Sequence, residues 1–286
     1  MSAVWYEQEI EQWAGAWYDG VDYSWRFEVS TYGRIRNAKN KRIYSLHNKD
    51  LCLMVIQVGD DPASNSYIRG KMQDCMEVGI RFLHKRFDVS VSTNEIIHTI
   101  RDANESVLVN GIIVQLPLPS HLDKDSILNA VVDSKDVDGF KHNSNFTPCT
   151  PKGIMTILDH LNYDVDGRLC CVIGRGEVGK PMVDLLTKHN ATVLWCNSHT
   201  KAFDLEGYIL SADVIISATG KPQLIKKVRD DQIVIDVGIC RGDDGKLCGD
   251  VDKSCYGEQM LITPVPGGVG LMTRVALLEN LVYGGN

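Results

Sequence analysis

The sequence predicts an α/β protein of two domains with a cleft between them. Three observations carry that expectation. From Leu51 onward, short apolar runs alternate with amphipathic stretches, the pattern of parallel strands covered by helices. A glycine-rich turn, "GRGEVG", separates one such run from one such helix at residues 174–179. A cluster of turn residues, "DVDGFKHNSNFTPCTPKG" (136–153), breaks the alternation and marks a domain boundary.

Taken in order, "LCLMVIQVG" (51–59) reads as a buried strand and "NSYIRGKMQDCMEVG" (65–79) as a helix closed by Gly79. "EIIHTIRDAN" (95–104) is an amphipathic helix, "VNGIIVQLPLP" (109–119) a strand ending in prolines, and "DKDSILNAVV" (123–132) a helix. Beyond the break, "GIMTILDHL" (153–161) and "KPMVDLLTKHN" (180–190) are helices. "RLCCVIG" (168–174), "ATVLWCNS" (191–198), "ADVIISATG" (212–220) and "QIVIDVGI" (232–239) are strands. The tail "ITPVPGGVGLMTRVALLEN" (262–280) is a strand end, a Gly-Pro loop and a last helix. The expected division is 47–145, completed by 264–286, for one domain and 146–263 for the other. Residues 1–46 stand apart: they hold Trp5, Trp13, Trp17 and Trp25 and the basic run "RIRNAKNKR" (34–42).

A net charge of −7 argues against general attraction to nucleic acid or anionic membrane. No apolar run is long enough to span a bilayer, and "MSAVWYEQEIEQW" lacks a signal peptide's basic start and apolar stretch, so a cytoplasmic location is expected. Nine cysteines cannot all pair internally, and none form C-x-x-C, so reduced, mostly buried thiols are expected. The histidines are scattered, with no H-E-x-x-H, and no metal site is expected.

The glycines of "GRGEVG" follow the dinucleotide-binding pattern, in context between a strand and a helix. Gly174 allows the tight turn, Gly176 lets the backbone approach a pyrophosphate, and Gly179 lets helix and strand pack closely. The domain is therefore expected to be a Rossmann domain. The next strand ends "LWCNSHTK", without the acid that bonds an NAD ribose. Arg175, Ser198 and Thr200 suit the 2′-phosphate of NADP instead, with NAD still possible and Arg175 open to being a solvated turn residue.

In the first domain, Tyr67 and Lys71 lie four apart on a helix and share a face. Alone, they read as a core tyrosine beside an exposed lysine. They occur, however, with "VGDDPASNSYIRGK", "GIIVQLPLPSHLD", "KDVDGF", "PCTPKGI", "VIGRGEVGKPM", "SADVIISATGKP", "VIDVGI" and "ITPVPGGVGLMT", in that order. Together these resemble the methylenetetrahydrofolate dehydrogenase/methenyltetrahydrofolate cyclohydrolase family, from about Leu51 to Asn280. The resemblance implies a three-layer α/β folate domain beside the Rossmann domain, tetrahydrofolate derivatives as substrates, NADP-linked oxidation of the 5,10-methylene bridge, hydrolysis of the methenyl product, and a homodimer. It implies Lys71 as the acid/base group, Gln115 as its hydrogen-bond partner, Asp138 on the pterin, Tyr67 packed on the folate, and Pro266, Gly267 and Gly268 lining the folate cleft. The hydride step needs mainly positioning, whereas hydration needs proton transfer, to which a desolvated lysine is suited.

Four departures from the family pattern stand out. "GRGEVG" is one residue shorter than the usual loop and lacks its serine. Only seven residues separate "DGF" from "PCTP", where a longer loop is usual. Leu271 replaces a proline. In place of the usual first helix, "WRFEVSTYGRIRNAKNKR" (25–42) resembles a small DNA-binding module found beside homing-endonuclease domains, a strand, turn and strand with five basic residues from Arg34 to Arg42. Two other functions therefore stay open: a cyclohydrolase with weak or no dehydrogenase activity, and a nucleic-acid-binding protein on a degenerate enzyme scaffold.

Overall fold

The computed structural model describes residues 51–284 apart from 142–143, 243–244 and 258–260, together with five short strands between residues 13 and 37. Those strands are β1 (Trp13–Gly15), β2 (Trp17–Tyr18), β3 (Val21–Asp22), β4 (Phe27–Ser30) and β5 (Ile35–Asn37). β4 pairs antiparallel with both β1 and β5, so the expected strand, turn and strand has its two strands. The turn between them and most of the basic run, on which the nucleic-acid alternative rests, fall outside the described residues.

The first α/β unit is a three-stranded parallel sheet of order β7-β6-β8, made of β6 (Cys52–Val58), β7 (Arg81–Phe87) and β8 (Gly111–Val114). Alternation along β6 sends Leu53 and Val55 to one face and Ile56 and Val58 to the other. Helix α1 (Pro62–Glu77) and the C-terminal helix α7 (Val269–Tyr283) cover the first face, where Ile68, Cys75, Ala276, Leu277 and Leu281 are buried. Helices α2 (Thr93–Glu105) and α3 (Lys124–Asn129) cover the second through Ile96, Ile100, Ala103, Ile127 and Leu128.

Local chemistry fixes the helix carrying Lys71. The Asp61 carboxylate accepts from the Ser64 N–H at 2.7 Å, Pro62 opens the first turn, and Gly79 takes φ +76° just past the end. The helix thus begins three residues before the apolar pattern predicts. The strand β7 escapes the sequence pattern because most of it faces solvent: "RFLHKRF" buries only Phe87 and shows no alternation.

Helix α4 (Cys149–His160) leads to the second unit and packs against α7. Its parallel sheet has the order β10-β9-β11-β12-β15: β9 (Leu169–Ile173), β10 (Thr192–Cys196), β11 (Val214–Ser217), β12 (Ile233–Asp236) and β15 (Leu261–Ile262). Helices α5 (Gly179–Lys188) and α6 (Ala202–Ser211) join its strands. Sequence pattern missed α6, which buries only Ile209 and carries Gly207 inside. It also missed a two-stranded antiparallel ribbon, β13 (Cys240–Arg241) and β14 (Leu247–Cys248). Among the described residues, no helix is long and apolar enough to cross a membrane.

Candidate active site

Three elements bring the polar residues of the first domain together. Lys71 projects from α1 with its side chain only 8% exposed. Its Nζ lies 3.4 Å from Gln115 Oε1 and 3.8 Å from Asp138 Oδ2. Gln115 follows β8 and donates through Nε2 to its neighbour Leu116 O at 2.8 Å, which leaves Oε1 turned to the lysine. Asp138 sits in the turn after a short 3-10 segment, and Gly139 beyond it has φ +74°. A Cβ on Gly139 would stand 2.8 Å from Pro148 Cα, so the turn can close only with glycine.

Tyr67 lies one helical turn before Lys71. Burial pushes its phenol above the usual range, against a smaller downward pull from Arg274, and the hydroxyl stays protonated near neutrality. Arg274 is held by Asp74 at 3.2 Å, and burial raises that carboxyl to about 6. The loop "PVPGGVG" comes alongside: a Cβ on Gly270 would be 3.7 Å from Tyr67 Oη. Pro266 follows a cis peptide, Gly267 has φ +101° with open space where a Cβ would point, and Gly268 is pressed on Pro264 O. The end of this loop, at the first turn of α7, therefore lies beside Tyr67.

The glycine-rich turn forms a second group of residues. At Gly174 φ is +124°, and a Cβ would come within 2.5 Å of Ala218 O. A Cβ on Gly179 would come within 2.3 Å of Gly174 O. Gly176 has nothing within 4 Å of its Cβ position, so a phosphate could lie directly on the backbone. The residues present therefore fit a dinucleotide. The Arg175 guanidinium stacks 4.8 Å over the Trp195 ring, whose Nε1 donates to Gly174 O at 2.8 Å. Ser198 is exposed past the end of β10, while the Thr200 hydroxyl accepts from Asn197 N–H at 3.0 Å and closes its own turn. A cavity of about 880 Å³ opens beside this turn, walled by Arg175, Gly176 and Lys180 on one side and Lys124, Phe140 and Pro148 on the other. Lys71, Gln115 and Tyr67 are not among its walls. Lys124 of α3 pairs across it with Glu177 of the turn.

Two family models match this chain. Residues 29–138 match the tetrahydrofolate dehydrogenase/cyclohydrolase catalytic domain, and residues 148–285 match the NAD(P)-binding domain of the same family. The chain belongs to the tetrahydrofolate dehydrogenase/cyclohydrolase family. The bifunctional protein FolD of Agathobacter rectalis is 45% identical over 264 residues, 87% of this chain and 94% of that protein. The crystal structure of the bifunctional FolD from Campylobacter jejuni superposes with a TM-score of 0.78 at 42% identity, covering 82% of this chain and 88% of that one. The Trypanosoma brucei dehydrogenase-cyclohydrolase, solved with NADP and an inhibitor, gives 0.77 at 30% identity over 82% and 86%. The catalytic-domain match opens at residue 29, inside the segment whose composition sets it apart.

Family motifs did not single out several residues that shape these sites. Trp195 supports Arg175. Asn280 of α7 donates through Nδ2 to Val137 O at 2.9 Å and Thr147 O at 3.2 Å, and its Oδ1 accepts from Lys152 Nζ at 2.9 Å. One buried amide thus ties both ends of the segment carrying Asp138. Asp236 and Asp250 form a buried pair where the Rossmann strands end. Asp236 accepts from the N–H groups of Gly238, Asp250 and Val251, and Asp250 accepts from Ser217, Thr219 Oγ1 and Thr219 N–H. The signal was available, since both acids sit inside apolar runs, "IVIDVGI" and "LCGDV".

Proposed function

We propose that this protein oxidises 5,10-methylenetetrahydrofolate to the 5,10-methenyl cation with NADP, and hydrolyses that cation to 10-formyltetrahydrofolate with Lys71 as the acid/base group. The observation that carries the reading is the placement of one buried ammonium between Gln115 Oε1 and Asp138 Oδ2. NADP, when bound, supplies the acceptor for the hydride of the bridge carbon. Gly174, Gly176 and Gly179 would hold its pyrophosphate and Arg175, with Ser198 and Thr200 nearby, its 2′-phosphate. Tyr67 and the loop at Pro266, Gly267 and Gly268 would hold the folate against it, and Asp138 would accept from the pterin's amino and ring N–H groups. For hydration, Lys71 Nζ moves a proton between the attacking water and the folate nitrogen that leaves the bridge carbon, while Gln115 fixes the direction of Nζ.

Absorbance during incubation with 5,10-methylenetetrahydrofolate and NADP, then NAD, tests the first half, with NADP expected to turn over faster. Lys71→Ala tests the second. Its expected result is loss of accelerated hydrolysis of methenyltetrahydrofolate, and hydrolysis at the wild-type rate would overturn the role given to Lys71. Cofactor-free hydrolysis without dehydrogenase turnover would instead support the cyclohydrolase-only reading.

The same reading places the protein in the cytoplasm as a homodimer joined through its cofactor domain, where β10 is an open sheet edge. Light scattering at a dimer's mass is the expected outcome. For residues 25–42, a weak nucleic-acid contact rests on the β4–β5 pairing and the basic run. A salt-sensitive shift of labelled duplex, lost on deleting residues 1–46, would support it; no shift at low salt would dispose of it.

A further inference from the structure

All nine cysteines lie among the described residues, and seven are buried. The two that keep solvent access, Cys240 and Cys248, stand directly opposite each other on β13 and β14 with their sulfurs 3.6 Å apart. Facing residues of an antiparallel pair have Cα atoms about 4.5–5.5 Å apart, within the span of a disulfide. Drawing the sulfurs together to about 2.05 Å needs side-chain rotation and a small shift of the ribbon. Another close pair, Cys171 and Cys196 at 3.9 Å, lies under the sheet at 0% and 2% exposure, out of reach of a dissolved oxidant.

We propose that Cys240 and Cys248 are a reversible oxidation site for a peroxide, and that joining them slows the dehydrogenase step. Burial pushes the Cys240 thiol up, and its S–H donates to Cys248 O at 3.3 Å and Gly249 O at 3.6 Å, so the first attack is given to Cys248 and the second to Cys240. The Cys248 sulfur attacks one peroxide oxygen; the S–O bond forms, the O–O bond breaks, and the other oxygen leaves as water with the thiol's proton. The Cys240 sulfur then attacks that sulfur; the S–S bond forms, the S–O bond breaks, and hydroxide leaves with the Cys240 proton as a second water. Two thiols lose two electrons and two protons, and one hydrogen peroxide becomes two waters. A small dithiol reverses the change.

The ribbon is tied to the cofactor domain through its next two residues. Gly249 is pressed on Asp236, where a Cβ would meet Oδ2 at 2.0 Å. Asp250 holds Ser217 Oγ at 2.7 Å and Thr219 N–H at 2.7 Å, at the carboxyl end of β11. Ligands of a doubly wound sheet bind outside those strand ends. Pulling Cys248 toward Cys240 moves the backbone that closes this carboxylate pair, and it leaves the lysine site on α1 alone.

The full chain is treated with hydrogen peroxide, free thiols are alkylated, and a tryptic digest is analysed by mass. Arg241 and Lys246 lie between the two cysteines, so their peptides stay together only through an S–S bond. The expected result is that linked pair, a fall of about fivefold or more in NADP-dependent turnover, the low end of couplings between sites, unchanged cyclohydrolase turnover, and full recovery with dithiothreitol. Cys248→Ser and Cys240→Ser should each remove both the link and the loss. Absence of the linked peptide overturns the proposal, as does a link that leaves NADP turnover unchanged, or a loss that persists in both serine variants.

Discussion

Replacing Gly179 by alanine tests how tightly the cofactor turn is built. The added Cβ would meet Gly174 O at 2.3 Å and Gly174 C at 2.8 Å, where ordinary contact begins at about 3.4 Å. Both atoms are backbone, so no side chain can swing away. Gly174 is itself confined, since a Cβ added there would meet Ala218 O at 2.5 Å. The start of α5 and the turn must therefore separate by about 1 Å, at a cost of about 1–3 kcal/mol for such overpacking. At about 2–4 °C per kcal/mol, the melting temperature should fall by roughly 2–12 °C. A displacement of about 1 Å at a positioning element costs up to about a hundredfold in rate. NADP-dependent kcat/KM should thus fall by about ten- to a hundredfold, while methenyltetrahydrofolate hydrolysis by the folded variant persists, since Lys71, Gln115 and Asp138 sit on other elements. Gly176→Ala is the control: with nothing within 4 Å of its Cβ position, it should keep the melting temperature and still weaken NADP binding. Unchanged melting and turnover in Gly179→Ala would refute the packing argument, and equal loss of both activities would refute the separation of the two sites.

Arg175→Ala should raise KM for NADP by about tenfold or more and leave KM for NAD nearly unchanged, since a hydrogen bond to a charged group is worth about 1.5–3 kcal/mol; paired saturation curves check this. Asn280→Ala strands the Thr147 carbonyl at a cost of about 1–3 kcal/mol, leaves Val137 O to the Cys149 thiol and Lys152 to Glu279, and should raise KM for folate more than it lowers kcat. For Asp236, burial first and Asp250 next raise the carboxyl to about 6, so the native state binds the extra proton between about pH 4 and 6 and this group's contribution to stability falls as pH rises through that window. Two pH units at 1.36 kcal/mol each make about 3 kcal/mol. Thermal melts should therefore show the wild type losing ground to Asp236→Asn, by up to that amount, between pH 4 and pH 7.

The legible parts of this molecule were those whose burial is periodic or whose backbone is forced. β6 and β9 are covered on both faces, and α2 places Ile96, Ile100 and Ala103 on one stripe, so apolar runs and spacing found them. The glycine turn was legible because Gly174 and Gly179 admit no other side chain. An edge strand, β7, escaped because solvent removes the need for alternation, and α6 because a single buried residue makes no stripe. The pairing of Gln115 with Lys71 was legible through the family motifs, whereas the approach of Asp138 to the same lysine depends on a third element and was not. Asn280 was invisible for the same reason: its partners are 143 and 133 residues away, and no local pattern records such a bond.

The two activities share one folate and differ in what else they need, and this sorts the residues by consequence. The product of oxidation is the substrate of hydration, so a single grip on the pterin serves both steps. If Asp138 holds the pterin as proposed, replacing it, or Asn280 behind it, should depress both activities together. Residues that shape the dinucleotide turn should depress only the first, and Lys71 should be indispensable only to the second if its work is proton transfer. A Lys71 variant that lost both activities equally, with the fold intact, would mean that the ammonium holds the folate and moves no proton.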